Sequence, residues 1–318
     1  MKTKISFEGL LPALGYMAIY IGLQVLCYLF GFWAFDEVSE SVYFESMPFV
    51  LLVSSIGVVI AYICMFAAKG KNIAGELALK KFNPLSLIPA ILAGLALGGF
   101  ITLWKATFPF PVEWMWSHDE YDFFPMMSDM TVYGVVFSMV ILPIAREIVF
   151  RSVVYKKLRT GLPVSLSVLI SALLFGVTAC NPIGGIELFC IGVVAAVLFE
   201  WTGSFWVTLI FHIAYNFLYH NFAYFTDDLT PEYLFWMILC IAVVVITMIV
   251  AVVGTVKEDW ELKAYEMKKA ARQSAANQSE RKVTMPPQKK VETGTVNSTQ
   301  KGMVNHGVVV EDTLNLDD

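Results

Sequence analysis

The sequence predicts an all-α fold, a polytopic membrane helical bundle of about eight transmembrane helices with a mostly disordered C-terminal tail, and three observations carry that prediction. Hydrophobic residues make up 57% of the chain and charged residues only 15%, with a mean hydropathy of +0.66, beyond what a soluble domain carries. Apolar stretches long enough to cross a hydrocarbon layer of about 30 Å recur as far as residue 255. Lys and Arg gather on alternate connections between them. The stretches are too long for barrel strands, so helices must satisfy the backbone in lipid.

The spans are read at 10–34, 47–68, 86–104, 131–150, 163–180, 184–200, 204–221 and 233–255. The first follows only Lys2 and Lys4 and runs past Phe32 without a small-residue cleavage pattern, so it reads as a retained span with no soluble catalytic domain ahead of it. In the third, Ala93-Gly94 and Gly98-Gly99 are small residues that predict close helix packing. Cys27, Cys64, Cys180, Cys190 and Cys240 fall within or at the ends of spans, which predicts buried, inert thiols rather than a disulfide framework. No internal repeat is visible.

Charge sets the expected orientation. Before residue 256, Lys2, Lys4, Lys69, Lys71, Lys80, Lys81, Arg146, Arg151, Lys156, Lys157 and Arg159 lie on alternate connections or at their edges, which therefore face the cytoplasm. The opposite connections carry Asp36, Glu37, Glu40, Glu45, Glu113, Asp119, Glu120, Asp122, Asp129, Asp227, Asp228 and Glu232, with Lys105 as the single basic exception. Both termini are thus expected inside. The outer connection near 105–130 is aromatic, with Trp104, Phe108, Phe110, Trp114, Trp116, Tyr121, Phe123 and Phe124. It reads as an interfacial belt, or as a surface that covers a cavity or docks an extracytoplasmic partner.

Two parts follow: a transmembrane helical domain over 1–255 and a cytoplasmic tail over 256–318. From Lys257 to about Ala275, opposite charges three and four apart suit a short helix continuing the last span. Beyond Ser279, Pro, Gln, Asn, Ser, Thr and Gly dominate, which predicts disorder. The tail is a solvated spacer or a docking segment for a cytoplasmic partner.

Ionisable groups at membrane depth mark functional sites. In the fourth span Glu147 and Arg151 share a helical face, while Arg146 is turned roughly 100° away. One reading has both arginines anchoring the span end by snorkelling, with Arg151 neutralising Glu147. In the seventh span His212 and Asn216 share a face and could serve as interhelical hydrogen-bonding residues. His220 continues that stripe about 12 Å from His212 at helical rise, too far to share a metal ion. Glu187 and Glu200 lie near span ends where water reaches and receive no role.

In order, the chain offers Arg146-Glu147-x-x-x-Arg151, Phe175-x-x-x-Ala179 and His212-x-x-x-Asn216. Pro143, Ile148-Val149-Phe150, Ser171-Ala172 before Phe175-Gly176, and Thr202-Gly203-Ser204-Phe205-Trp206 add to the pattern. This set resembles the CAAX prenyl protease and bacteriocin-processing (CPBP, Abi) family of intramembrane metalloproteases, over residues 139–221. Members show Glu-Glu-x-x-x-Arg, Phe-x-x-x-His and His-x-x-x-Asn or Asp. The resemblance implies a mechanism in which a glutamate and histidines hold a divalent metal or activate a water that attacks a peptide bond. Carried over residue by residue, Glu147, Arg151, His212 and Asn216 are the remnants of the catalytic site, and His212 is the remaining metal ligand.

Two positions depart from the family pattern. Arg146 replaces the water-activating glutamate, and a guanidinium stays protonated and cannot accept a proton. It would also repel a dication, since unit charges 4 Å apart already interact by about 4 kcal/mol at an effective dielectric of 20. Ala179 replaces the first histidine and has no ligand atom. Catalytic zinc usually has three protein ligands. Cys180 could stand in only if the helix broke, a break that Asn181-Pro182 would supply by removing a helical donor.

The expected function is that of a CPBP-type integral membrane protein that is proteolytically inactive, a pseudoprotease, and acts as a scaffold or regulator of a membrane or cell-envelope protein. No cofactor is expected. The alternative is an active intramembrane metalloendopeptidase with zinc in a rearranged site, cleaving a membrane-anchored or leader peptide. A transporter is less favoured, because paired Gly- or Pro-interrupted spans in two matching halves are missing. Lipid is the expected surrounding partner, and no nucleic acid is expected. The family outline implies a bacterial plasma membrane.

Overall fold

The computed structural model describes residues 6–35, 40–108, 137–221 and 232–284. Among them every regular element is helical: α1 (Leu10–Phe35), α2 (Glu40–Ala68), the short α3 (Ile73–Glu76), α4 (Leu87–Thr107), α6 (Val164–Val177), α7 (Pro182–Thr202), α8 (Phe205–Asn221) and α9 (Tyr233–Thr284). Between α4 and α6 lies α5, over residues 137–158, which alternates π-helix (Phe137–Ile141), α-helix (Leu142–Glu147), π-helix (Ile148–Tyr155) and a last α-turn (Lys156–Leu158). A helix therefore occupies each of the eight predicted apolar segments. Among the described residues, four segments are long and apolar enough to cross a membrane: Leu10–Cys27, Pro84–Thr107, Pro182–Thr202 and Tyr233–Lys257. Shorter apolar helices lie at Leu52–Ala68 and Val164–Val177.

The chain forms two compact units, residues 1–263 and 264–318. The predicted boundary at 256 falls inside α9, which continues past the apolar run to Thr284; opposite charges three and four apart suit that continuation as far as Lys269. The continuation is longer than the short helix expected to about Ala275. The rest of the predicted disordered tail lies outside the described residues, as does most of the aromatic outer connection.

α5 packs against α1, α2, α6, α7 and α8, while α4 pairs with α8, α6 with α7, and α1 with α2. The α4–α8 contact is the most extensive of these. A Cβ added at Gly94 would lie 2.4 Å from the Phe211 carbonyl oxygen, and one at Gly98 would lie 2.7 Å from that of Tyr215. Both positions were predicted from the small-residue pattern, and glycine is what lets the two backbones touch. In the same way Gly176 meets the Gly185 carbonyl across α6–α7, and Gly192 meets Ala172.

One end of the first unit is tied together by polar contacts from the connection after α2. The Leu77 carbonyl accepts from Ser152 Oγ at 2.8 Å, and Lys156 Nζ donates to the Gly75 and Glu76 carbonyls. Phe205 N–H donates to the Ala78 carbonyl, and Ser204 Oγ to that of Lys80. Ser6 N–H reaches the Gly161 carbonyl. Two connections that carry predicted inner-side lysines, residues 69–86 and 156–163, thus meet at one end. Glu200 on α7 joins them there, held by Arg159 at 2.8 Å and by the Tyr155 hydroxyl at 2.8 Å.

The thiol prediction needs correcting. All five cysteines are free, but Cys64 and Cys180 are exposed and the other three only partly covered. On the apolar face of a membrane helix a thiol is compatible with hydrocarbon, so position within a span does not require burial in protein.

Candidate functional site

The site is built where α5, α6 and α8 meet. Thr208, His212, Tyr215, Asn216 and Tyr219 recur at intervals of three and four on α8 and so share one stripe. His212 is fully buried, and its Nδ1 lies 2.8 Å from Glu147 Oε1 on α5. An ionised carboxylate only accepts, so Nδ1 carries the hydrogen and Nε2 the lone pair of the neutral ring. Arg151 Nε stands 3.3 Å from Glu147 Oε2, with both side chains wholly shielded from solvent. Asn216, one turn beyond His212, is 8% exposed.

Phe175 on α6 is the wall against which these groups rest. Its ring meets His212 edge-on with centroids 6.3 Å apart, and the Arg151 guanidinium carbon lies 4.9 Å from its centroid. The Arg146 guanidinium carbon lies 5.7 Å from the same centroid. The expectation that Arg146 turns away on another face is therefore corrected. A regular α-helix would separate positions five apart, but the π-turns starting at Ile148 widen the spiral and let both guanidinium groups address one ring. Snorkelling is corrected for Arg151 as well: it is 0% exposed and packs inward.

Several polar atoms here lack a hydrogen-bond partner among the described residues. They are Arg146 Nε, all three guanidinium nitrogens of Arg151, Glu147 Oε2 and His212 Nε2. Arg151 Nε and Glu147 Oε2 are close enough to pair electrostatically, though not in hydrogen-bond alignment. Buried polar atoms in native proteins are rarely left this way.

Ala179 and Cys180 sit in the turn between α6 and α7, where Cys180 takes a left-handed φ of 56°. Asn181 caps α7 by accepting from Gly184 N–H at 2.6 Å, with Pro182 at the first helical positions. The helix break that Asn181-Pro182 suggested is present. Cys180 is exposed and lines an open groove of about 570 Å³ with Leu173, Val177, Ile186 and Phe189. Among the described residues, no three His, Cys, Asp or Glu side chains are grouped to hold a metal ion. The donor set does not fit a catalytic zinc: His212 offers one nitrogen beside a carboxylate already engaged by Arg151, with a second guanidinium nearby.

A second, partly buried network was not foreseen. Lys105 at the end of α4 lies 2.6 Å from Glu187 Oε2 and donates to the Tyr219 hydroxyl at 2.6 Å. Tyr215 donates its hydroxyl to Glu187 Oε1 at 2.6 Å. The lone basic residue on the acidic side is thus the partner of Glu187, a carboxylate that sequence position alone had assigned to water. The signal available was the pairing of those two exceptions with two tyrosines on the His212 stripe.

Residues 128–218 match the family model described as type II CAAX prenyl endopeptidase, Rce1-like. That match agrees with the motif resemblance, covers under a third of the chain, and includes Arg146, Glu147, Arg151, Phe175, Ala179, His212 and Asn216. No curated protein and no solved structure matches the chain.

Proposed function

We propose that this Rce1-like membrane protein is a non-catalytic relative of the intramembrane endopeptidases, which keeps their helical scaffold and uses it to bind and position another membrane or envelope protein. The observation that carries the reading is the pair Arg146 and Arg151 against Phe175, beside the one contact between Glu147 and His212. Where the family pattern calls for a general base there is a fixed cation, which neither takes a proton from water nor tolerates a dication. Glu147 is held by Arg151 and His212, so its charge stabilises the helix junction.

In this reading α1, α2 and α4 to α9 supply eight crossings, and the lysine-rich end and both termini face the cytoplasm of a bacterial plasma membrane. The polar connections and the tail are the surfaces open to a partner. One observation favours the alternative of an active endopeptidase, the intact 2.8 Å contact between Glu147 and His212, which could orient an imidazole for catalysis.

Elemental mass spectrometry of the purified protein beside His212→Ala separates the two. The scaffold reading expects no zinc above the control and no cleavage of membrane-anchored or leader peptides. About one zinc per chain, lost in His212→Ala and accompanied by peptide cleavage, would overturn it.

A further inference from the structure

Two guanidinium groups and one carboxylate leave the Phe175 site with an excess positive charge when His212 is neutral. Arg151 is 0% exposed, and its Nη1 and Nη2, like Arg146 Nε, have no hydrogen-bond partner among the described residues. Glu147 leaves these nitrogens unpaired: one of its oxygens faces His212 Nδ1 at 2.8 Å, and the other lies 3.3 Å from Arg151 Nε outside hydrogen-bond alignment. The aromatic face of Phe175 attracts both cations, but a π-face accepts no full hydrogen bond from Nη1 or Nη2.

We infer that this site binds a monovalent carboxylate, held by the unpartnered Nη1 and Nη2 of Arg151 and by Arg146 beside the ring of Phe175. A guanidinium presents its hydrogens in a planar fork that matches a carboxylate's two oxygens. A single negative charge balances the excess positive charge, whereas a dianion would reverse it at a larger desolvation cost. At membrane depth the group comes from the head of a fatty acid or from the C-terminus of an apolar peptide. The inference rests on the non-catalytic reading, since it gives Arg146 a ligand where the family pattern has a base.

The test uses the full chain in detergent micelles and reads the thermal unfolding midpoint and equilibrium binding. Oleate is compared with oleyl alcohol, and a short blocked leucine peptide as free acid with the same peptide as its C-terminal amide. The acid of at least one pair is expected to raise the midpoint and bind at least about tenfold more tightly than its uncharged counterpart, the effect of one or more charge-assisted hydrogen bonds. Which pair responds identifies the source. Arg146→Gln, at a half-buried position, removes most of that preference, and Arg151→Lys keeps the charge but loses the fork and weakens it.

Equal binding of acid and uncharged counterpart in both pairs overturns the inference, and this comparison needs no variant to fold. Undiminished preference in a folded Arg146→Gln protein also overturns it. Zinc content on the same preparation separates the two failures: no preference with no zinc removes the carboxylate site alone, while no preference with zinc lost in His212→Ala removes both readings.

Discussion

Glu147, Arg151 and His212 have side chains wholly cut off from solvent, so each depends on the others for its charge or hydrogen bond. Removing one partner of a buried ion pair costs about 3–5 kcal/mol, because the remaining charge is stranded, whereas replacing both with apolar or neutral groups of similar size is often near neutral. Arg151→Met should therefore destabilise the protein by about that amount, and Glu147→Gln combined with Arg151→Met should recover most of it. Unfolding curves of the two proteins in micelles check this. A double variant no more stable than the single one would mean that the cost of losing Arg151 does not come from a stranded Glu147 carboxylate. The Lys105 network works by the same logic: Tyr215→Phe deprives Glu187 of one donor and should cost about 1 kcal/mol, and Lys105→Met should cost more, because it removes the ammonium from both Glu187 and Tyr219. Equal stabilities across this series would show the network to be incidental.

Helix contacts govern the next scale. α4 and α8 approach until the Gly94 Cα sits against the Phe211 carbonyl, and an added Cβ would meet that oxygen at 2.4 Å. Backbone cannot yield as a flexible side-chain end can. Gly94→Ala is expected to cost about 1–3 kcal/mol by overpacking, and Gly94→Val more. Gly57→Ala in α2, where nothing lies within 4 Å, serves as the control and should leave stability unchanged or slightly raised. Because α8 carries His212 and α5 carries Glu147, the Gly94 variants should also disturb the 2.8 Å contact between those residues. A Gly94→Val protein as stable as the Gly57→Ala control would show that the two helices separate at little cost. α5 itself shows how an element adjusts to its site: the π-turns over Ile148–Tyr155 bring Arg146 and Arg151 to one ring.

For the molecule as a whole, the meeting of two lysine-bearing connections at one end makes a topology prediction. Single cysteines introduced at Lys71, Lys157 and Lys80 in a cysteine-free background should share one labelling pattern, protected from a membrane-impermeant maleimide in intact cells and modified after permeabilisation. The hydrogen bonds from Ser152, Lys156, Ser204 and Phe205 to one connection require those positions to lie together. Protection of some and labelling of others in intact cells would contradict the arrangement, and uniform labelling would invert the orientation read from charge.

Much of this protein was legible in its residues. Apolar length placed a helix in each of the eight segments, because lipid leaves a backbone few other ways to satisfy its polar groups. The glycines of α4 announced close packing, and the spacing of Glu147 with Arg151 and of His212 with Asn216 put each pair on one face. Those are local properties, fixed by helical periodicity and by the size of a side chain. Contacts between helices are not local. That Glu147 meets His212, that Lys105 finds Glu187, and that Arg151 turns inward depend on how the helices pack around α5. The position of Arg146 depends further on π-turns that no propensity foretold. Sequence by itself determined the helices and the chemistry available to them, while tertiary structure decided which charges meet, because only packing sets which buried groups share one enclosed volume.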